Sequence, residues 1–379
     1  MEPLKVGIVG CGVIADIYCQ NARRFRDIAM HACADIVPEA AERRASEYGL
    51  RAMTVPELMA SPEVDIVLNL TVPVVHAEVS LQALAGGKHV YSEKPLATDI
   101  AAARKVTAEA AARGLRVAVA PDTVLGAAGR EARRLIDSGA LGEVTAGAMF
   151  VMSRGMEHWH PNPGFFFAPG AGPVFDLGPY YLTQLVCLLG PVRRVATFAG
   201  AAFADRLVTA AGPMQGQRIP VTTPTTLFSL LELASGARII YGASWDVARH
   251  GMKPIELYGT QASLRVPDPN FMGGALEIGT RDDDWRTLPT DYLTFGKDNW
   301  PVDAPRAAND RGLGLAEMAR AIRENRPQRL SASLALHVTA VMAGILEAGE
   351  TGRIVEIGES TDRPAPLTEA EARALLVAP

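Results

Sequence analysis

The turn Gly10-Cys11-Gly12-Val13-Ile14-Ala15 lies between a short apolar run at residues 6–9 and a stretch with helical spacing over 14–25. Its pattern is G-x-G-x-x-[GA]. A strand that turns on glycine directly into a helix belongs to a βαβ unit of a parallel sheet. Gly10 permits the tight turn, Gly12 lets a pyrophosphate approach the backbone, and Ala15 keeps the helix close to the strand. The helix N-terminus adds unpaired N–H groups and the positive end of the helix dipole, so Val13 and Ile14 join the expected cofactor contacts. Asp35 ends the next apolar run, 23 residues after Gly12. A carboxylate there accepts hydrogen bonds from the adenosine ribose of NAD and repels the 2′-phosphate of NADP. Ile36 follows it and no arginine is adjacent. The expectation is NAD in preference to NADP.

The rhythm of the first third extends this unit into an α/β domain. Apolar runs at 6–9, 30–34, 65–70, 88–91 and 115–120 alternate with helical patterns at 14–25, 40–48, 74–85 and 100–113. That alternation implies a parallel sheet covered by helices on both faces. After Pro121 and one more amphipathic helix, at 127–138, strands follow one another at 144–152, 195–202, 226–233 and 238–245, the last two joined by the turn Ser235-Gly236. This reads as an α+β second domain with an open, mostly antiparallel sheet. Helices near 314–325 and 333–347 are expected to pack back across the domains. The expected division is 1–123 for the dinucleotide-binding domain and 124–379 for substrate binding and oligomerisation.

Bulk properties narrow the partners. A net charge of −5 without any basic run argues against nucleic acid and anionic membranes. The four cysteines have no C-x-x-C spacing, as expected of reduced thiols in a cytoplasm. With a first strand expected from Leu4, no signal peptide is expected, and no apolar stretch reads as long enough to span a bilayer.

Glu93-Lys94-Pro95 follows the run His89-Val90-Tyr91. Proline disfavours the α region for the residue before it, so Lys94 is expected to stay extended at the carboxyl edge of the sheet. Ligands of open α/β sheets bind at that edge.

Together, Gly10-x-Gly12-x-x-Ala15 and Glu93-Lys94-Pro95 resemble the Gfo/Idh/MocA oxidoreductases. Asn69-Leu70-Thr71-x-Pro73-x-x-His76 is similar to the family's third-strand loop, and Gly86-Gly87-Lys88-His89-Val90 to the lead into its lysine motif. The resemblance covers nearly the whole chain. It implies a Rossmann domain, a C-terminal sheet that often packs against another subunit, hence a homodimer or homotetramer, and NAD(P)-dependent chemistry on a sugar, cyclitol or related polyol. It also implies cofactor contacts from Thr71, Pro73, His76, Glu93 and Lys94. The family's next motif is roughly Asp-x-Gly-x-His, whose histidine commonly transfers the proton. Here it reads Asp176-Leu177-Gly178-Pro179-Tyr180. Tyrosine replaces histidine, as it does in the glucose–fructose oxidoreductase branch, and the usual imidazole base is gone.

Oxidising an alcohol requires a base for the hydroxyl proton while hydride leaves for the nicotinamide. A free tyrosine has a pKa near 10, and lowering that by two units takes about 2.7 kcal/mol. An ammonium ~4 Å away contributes on the order of 4 kcal/mol at an effective dielectric of ~20. Lys94, Tyr180 and Asp176 are therefore the expected catalytic set, with Asp176 binding a neighbouring hydroxyl, orienting the lysine or capping a helix. Pro179 suits a first helical position, which would put Tyr180 in the first turn of a helix running to Leu189.

The segment Arg154-Gly155-Met156-Glu157-His158-Trp159-His160-Pro161-Asn162-Pro163 is dense in groups that bind polyols. Trp159 is expected to stack on a sugar face and His158 to hydrogen-bond hydroxyls. The His-x-His spacing has no third ligand paired with it, so no metal is expected. Phe165-Phe166-Phe167 reads as packing or an oligomer contact. Asp122, at the end of the fifth strand, is expected to face the nicotinamide or the substrate, or else to cap a helix. Arg154, His250 and Lys253 are candidate partners for an anionic substrate. The leading function is oxidation of a secondary hydroxyl on a sugar, glycoside or cyclitol. The alternatives are a glycosidase that oxidises and re-reduces its sugar through bound NAD, and a non-catalytic NAD-binding regulator.

Overall fold

Strands β1 (Leu4–Val9), β2 (Ile28–Ala34), β3 (Arg51–Met53), β4 (Ile66–Asn69), β5 (His89–Ser92) and β6 (Val117–Val119) form one sheet in the order β3-β2-β1-β4-β5-β6. Every neighbouring pair is parallel. The structure is a computed structural model that describes residues 2–299 and 307–377. Met1, 300–306 and 378–379 fall within the two expected domain spans but outside the described residues. Helices α1 (Val13–Ala22), α2 (Pro38–Tyr48), α3 (Val55–Ala60), α4 (His76–Ala85) and α5 (Ile100–Ala112) connect the strands. All four residues of β4 are buried, as parallel strands covered on both faces require. The sequence reading missed β3 and α3, which are too short for any period to register. The strand order reverses between β1 and β4, so their carboxyl ends open onto a common crevice.

The second domain begins with α6 (Ala127–Asp137) and β7 (Val144–Met152), continues through α7 (Gly172–Leu189) and β8 (Val192–Gly200), and adds the small hairpin β9 (Asp205–Leu207) and β10 (Arg218–Pro220). Strands β11 (Thr226–Leu233), β12 (Arg238–Ser244), β13 (Ile255–Gly259), β14 (Ala262–Val266), β15 (Leu276–Thr280) and β16 (Arg286–Leu288) follow. Then come α8 (Leu313–Arg323), α9 (Ala332–Thr351), β17 (Val355–Glu356) and α10 (Glu369–Ala374). Nine strands form a sheet in the order β16-β15-β14-β13-β7-β12-β11-β8-β17. Its pairs are antiparallel except β7–β12. The turn between β11 and β12 is the expected hairpin, with Gly236 at φ +88°.

Helices α7 and α9 cover one face of this sheet. The other face exposes Phe198, Phe228, Leu230, Ile240 and Tyr258. The late helices do return to the first domain: α8 packs on β2 and β6, and α9 on α5 and β6. Arg320 and Arg323 of α8 grip the buried Asp27 carboxylate at 2.8 and 2.5 Å. One expectation fails here. By length and composition α9 is apolar enough to cross a bilayer. Its Leu334, Val338, Val341 and Ile345 are instead buried in the core, which accounts for the apolar composition.

Candidate functional site

The dinucleotide loop has the geometry its glycines require. Gly10 sits at φ +98°, and a β-carbon there would lie 2.7 Å from the Leu70 carbonyl carbon and oxygen. Gly12 caps α1, and a β-carbon on it would meet nothing within 4 Å. The space above the helix N-terminus is therefore open, as a pyrophosphate needs. Ala15 is fully buried against the sheet, Val13 is exposed beside the opening, and Ile14 is partly buried. Asp35 is braced toward the loop: Oδ2 accepts from the Cys11 N–H at 2.7 Å and Oδ1 from the Val37 N–H at 2.9 Å. Each oxygen keeps a lone pair for a ribose hydroxyl. Arg44 of α2, distant in sequence, reaches the Gly12 carbonyl at 3.1 Å, but Asp16 and Glu47 pair with it.

Buried Asn69, at the end of β4, organises the next loop. Its Oδ1 accepts from the Thr71 hydroxyl at 2.6 Å and its Nδ2 donates to the His76 carbonyl at 3.0 Å. His76 does not face the crevice. Its ring nitrogens lie 2.7 Å from the Pro95 carbonyl and 2.9 Å from that of Thr71, and burial holds its pKa down. The histidine thus ties the β4 and β5 loops together. Glu93 is engaged in the same way, accepting from Tyr18 of α1 at 2.8 Å and from the Lys94 backbone N–H at 3.1 Å.

Lys94 projects from this braced loop onto α7. Its Nζ donates to Asp176 Oδ1 at 2.9 Å and to the Asp176 carbonyl at 2.7 Å. It lies 5.3 Å from the centre of the Tyr180 ring. Asp176 and Tyr180 are four residues apart, so one helix face presents both. Burial opposes the Lys94 charge, but Asp176, Tyr180 and Glu93 outweigh it and raise its pKa. The expected position of Tyr180 in a first helical turn is wrong. Pro173 occupies that turn, and Pro179 lies inside the helix. Asp176 is consequently not a helix cap, and the helix dipole gives Tyr180 no N-terminal assistance. Pro179 also lacks an N–H for the Phe175 carbonyl, which loosens the helix beside the carbonyl that Lys94 uses. Tyr181 points elsewhere, to Asp268 at 3.4 Å.

The cation that sequence reasoning missed is Arg311. It is held by Asn309 Oδ1 at 2.8 Å and Asn270 Oδ1 at 3.2 Å. Burial lowers its pKa, but the adjacent Tyr180, Glu93 and Asp122 raise it further, so it stays charged. It precedes α8 in a stretch without apolar period or known motif, and only the fold brings it to α7. Asp122 takes the capping role that was its expected alternative, at the start of α8 beside Arg311. Its side chain is 1% exposed, and Oδ2 accepts from the N–H groups of Gly312 and Gly314 at 2.8 and 3.0 Å. Burial raises the Asp122 pKa to about 6.

A cleft of about 310 Å³ lies between the domains beside Lys94 and Asp176. Val72, Pro73 and Val74 line one side, and Phe165, Phe166 and Phe175 the other. Of the three phenylalanines expected as packing or an oligomer contact, Phe165 and Phe166 therefore form its wall, and Phe167 packs in the core on Trp245. Of the residues expected to meet substrate, Lys94 and Asp176 line it, whereas His158, Trp159, Asp122 and Tyr180 do not, and Tyr180 is buried behind Lys94. Trp159 meets the wall indirectly, edge-on to His160, which contacts both Phe165 and Phe166. Arg154, His250 and Lys253 are also outside the cleft, and Lys253 pairs with Glu277. Among the described residues no three His, Cys, Asp or Glu side chains converge as a metal site.

Comparison with known proteins fits this geometry. Residues 4–120 match the family model described as an oxidoreductase family with an NAD-binding Rossmann fold, and residues 130–265 match the GFO/IDH/MocA C-terminal domain. Inositol 2-dehydrogenase of Rhizobium meliloti is 24% identical over 287 residues, 74% of this chain and 79% of that protein. A dTDP-3,4-didehydro-2,6-dideoxy-alpha-D-glucose 3-reductase of Actinomadura kijaniata is 29% identical over 53% of this chain and 57% of its own. Against an uncharacterized Schizosaccharomyces pombe oxidoreductase, 27% identical, the match spans only 53% of that protein. Levoglucosan dehydrogenase in its apo form superposes with a TM-score of 0.82 at 19% identity, covering 95% of this chain and all (100%) of its own, which speaks to the fold alone. The chain belongs to the Gfo/Idh/MocA oxidoreductase family, and its first domain is that family's NAD-binding Rossmann fold.

Proposed function

We propose that this protein is an NAD-dependent dehydrogenase acting on a secondary hydroxyl of a sugar, glycoside or cyclitol, with Tyr180 as the proton acceptor. The observation that carries this reading is the arrangement of Lys94, Asp176 and Tyr180 at the carboxyl edge of the sheet. Lys94 has three N–H groups, and two are spent on Asp176. The third is left for the substrate oxygen. Bound NAD would lie along Gly10, Gly12 and Asp35 and supply the hydride acceptor. Tyr180 takes the hydroxyl proton as its phenolate and becomes neutral, Lys94 holds the same oxygen, and Asp176 keeps Lys94 in position. The test is a panel of polyols and glycosides assayed at alkaline pH for NADH absorbance. Formation of NADH with at least one of them is the expected result. Tight NAD binding with no turnover on any member would favour a regulator instead.

Asp35 supports a preference for NAD, since Arg44 is already paired with Asp16 and Glu47. Comparable kcat/KM with NADP would overturn that preference. The apolar outer face of the nine-stranded sheet supports a homodimer or homotetramer. Phe198 and Phe228 stand directly opposite one another on it, 88% and 46% exposed, as do Leu230 and Ile240. Adjacent exposed apolar side chains of this size mark an interface. Four buried free cysteines accord with a reducing cytoplasm.

A further inference from the structure

We infer that the substrate is a glycoside with an apolar, aromatic-sized aglycone, and that Phe165 and Phe166 receive that aglycone. This rests on the dehydrogenase reading above and narrows it from polyols in general to one class. Of the described residues lining the cleft beside Lys94, only Lys94, Thr98 and Asp176 carry polar side chains. Lys94 and Asp176 pair with each other, so two of the three polar groups sit together, and Thr98 lies beside Gly170. The remaining surface is apolar and open to solvent: Phe165 is 51% exposed, Val72 61% and Val74 74%.

The aromatic wall is built into the second domain. Phe165 and Phe166 have ring centres 4.1 Å apart, and Phe166 rests at 5.9 Å on Trp245, which is fully buried. Val72 and Val74 follow the carboxyl end of β4, on the side where a nicotinamide enters by the switch-point rule. Phe165 and Phe166 face it from the substrate side. A cyclitol carries hydroxyls around its whole ring. Within the cleft Lys94 and Asp176 could serve the hydroxyls nearest them, and most of the others would face apolar side chains without partners, which opposes binding. A sugar with an apolar aglycone suits both parts of the cleft. The sugar meets Lys94 and Asp176, and the aglycone covers Phe165 and Phe166.

The test compares matched phenyl and methyl glycosides of glucose, galactose and xylose, with the free sugars and myo-inositol, on the full-length protein with NAD. The phenyl member of at least one pair should exceed its methyl counterpart in kcat/KM by roughly tenfold or more, the range expected for filling an apolar pocket. Phe165→Ala should reduce that phenyl-to-methyl ratio several-fold. Calorimetric binding of the same pairs to the NADH complex gives a readout that does not need turnover, and the phenyl member should again bind more tightly. Turnover with phenyl-to-methyl ratios near one in every pair overturns this inference and leaves the dehydrogenase reading standing. Absence of both turnover and glycoside binding overturns the two together. Phenyl-selective binding without turnover supports the aglycone site and counts against the dehydrogenase reading alone.

Discussion

Lys94 Nζ sits 2.9 Å from one carboxylate oxygen of Asp176 and 2.7 Å from the backbone carbonyl of the same residue. One residue of α7 thus fixes the ammonium twice, once by charge and once by backbone. The fixing matters because Lys94 stands on a loop, and a loop alone would not hold it to the tolerance that catalysis needs. With Tyr180 one helical turn further along, the two domains meet through the groups proposed to do the chemistry.

Asp176→Asn removes the charge but leaves the backbone carbonyl in place. Lys94 should stay near its site with less electrostatic restraint. We expect kcat to fall roughly 10- to 100-fold, less than for outright loss of a preorganised donor. Fluorescence titration should give an NADH Kd close to that of the parent protein.

Arg311→Gln takes away one of two cations facing Tyr180. Its expected effect is a lower kcat with an NADH Kd and a Tm close to those of the parent. A purely structural role would lower the Tm instead. Arg311→Lys should recover part of the loss.

Asp122 makes a prediction about stability. Its folded pKa, about 6, lies above that of an unfolded aspartate. The folded protein therefore holds this proton more tightly. The contribution is complete below the unfolded value near pH 4 and is lost as pH rises through about 6. It amounts to about 3 kcal/mol across that window. Asp122→Asn cannot ionise, yet its amide oxygen can still accept from Gly312 and Gly314. The stability of the parent relative to this variant, measured by urea unfolding, should fall between pH 4 and 6 and level off above. A difference that does not change with pH would contradict the assignment.

The sheet face predicts the assembly. Phe198→Asp with Phe228→Asp puts two charges directly opposite one another on strands β8 and β11. Light scattering should then report a smaller species than the parent, with the near-native circular dichroism expected for substitutions at exposed positions.

Legibility in the sequence followed the range of each interaction. The Gly10–Ala15 loop, Asp35 and the Lys94 loop were readable because strand, turn and helix there are contiguous. The β11–β12 hairpin was readable for the same reason. Tyr180 was singled out through its motif, but its helical position was misjudged. Two prolines compete for one helix start, and spacing alone does not say that Pro173 wins. Asp122 and His76 are polar residues at strand and loop ends, where a carboxylate or imidazole can serve a ligand or the backbone. The choice depends on Gly312 and Gly314 in one case and on Thr71 and Pro95 in the other. Arg311 was invisible because 131 residues separate it from Tyr180. Phe165 and Phe166 read as core by composition, and only the domain arrangement turns them toward the cleft.

The central claim is that Tyr180 accepts the substrate proton with Lys94 beside it. The most direct measurement is the kcat of Tyr180→Phe for NAD reduction by the best substrate of the panel, with NADH Kd measured in parallel. Phenylalanine keeps the ring against Lys94 and removes only the hydroxyl. A fall of roughly 10²- to 10⁴-fold in kcat with Kd unchanged is the predicted result. A kcat within a few-fold of the parent would contradict it.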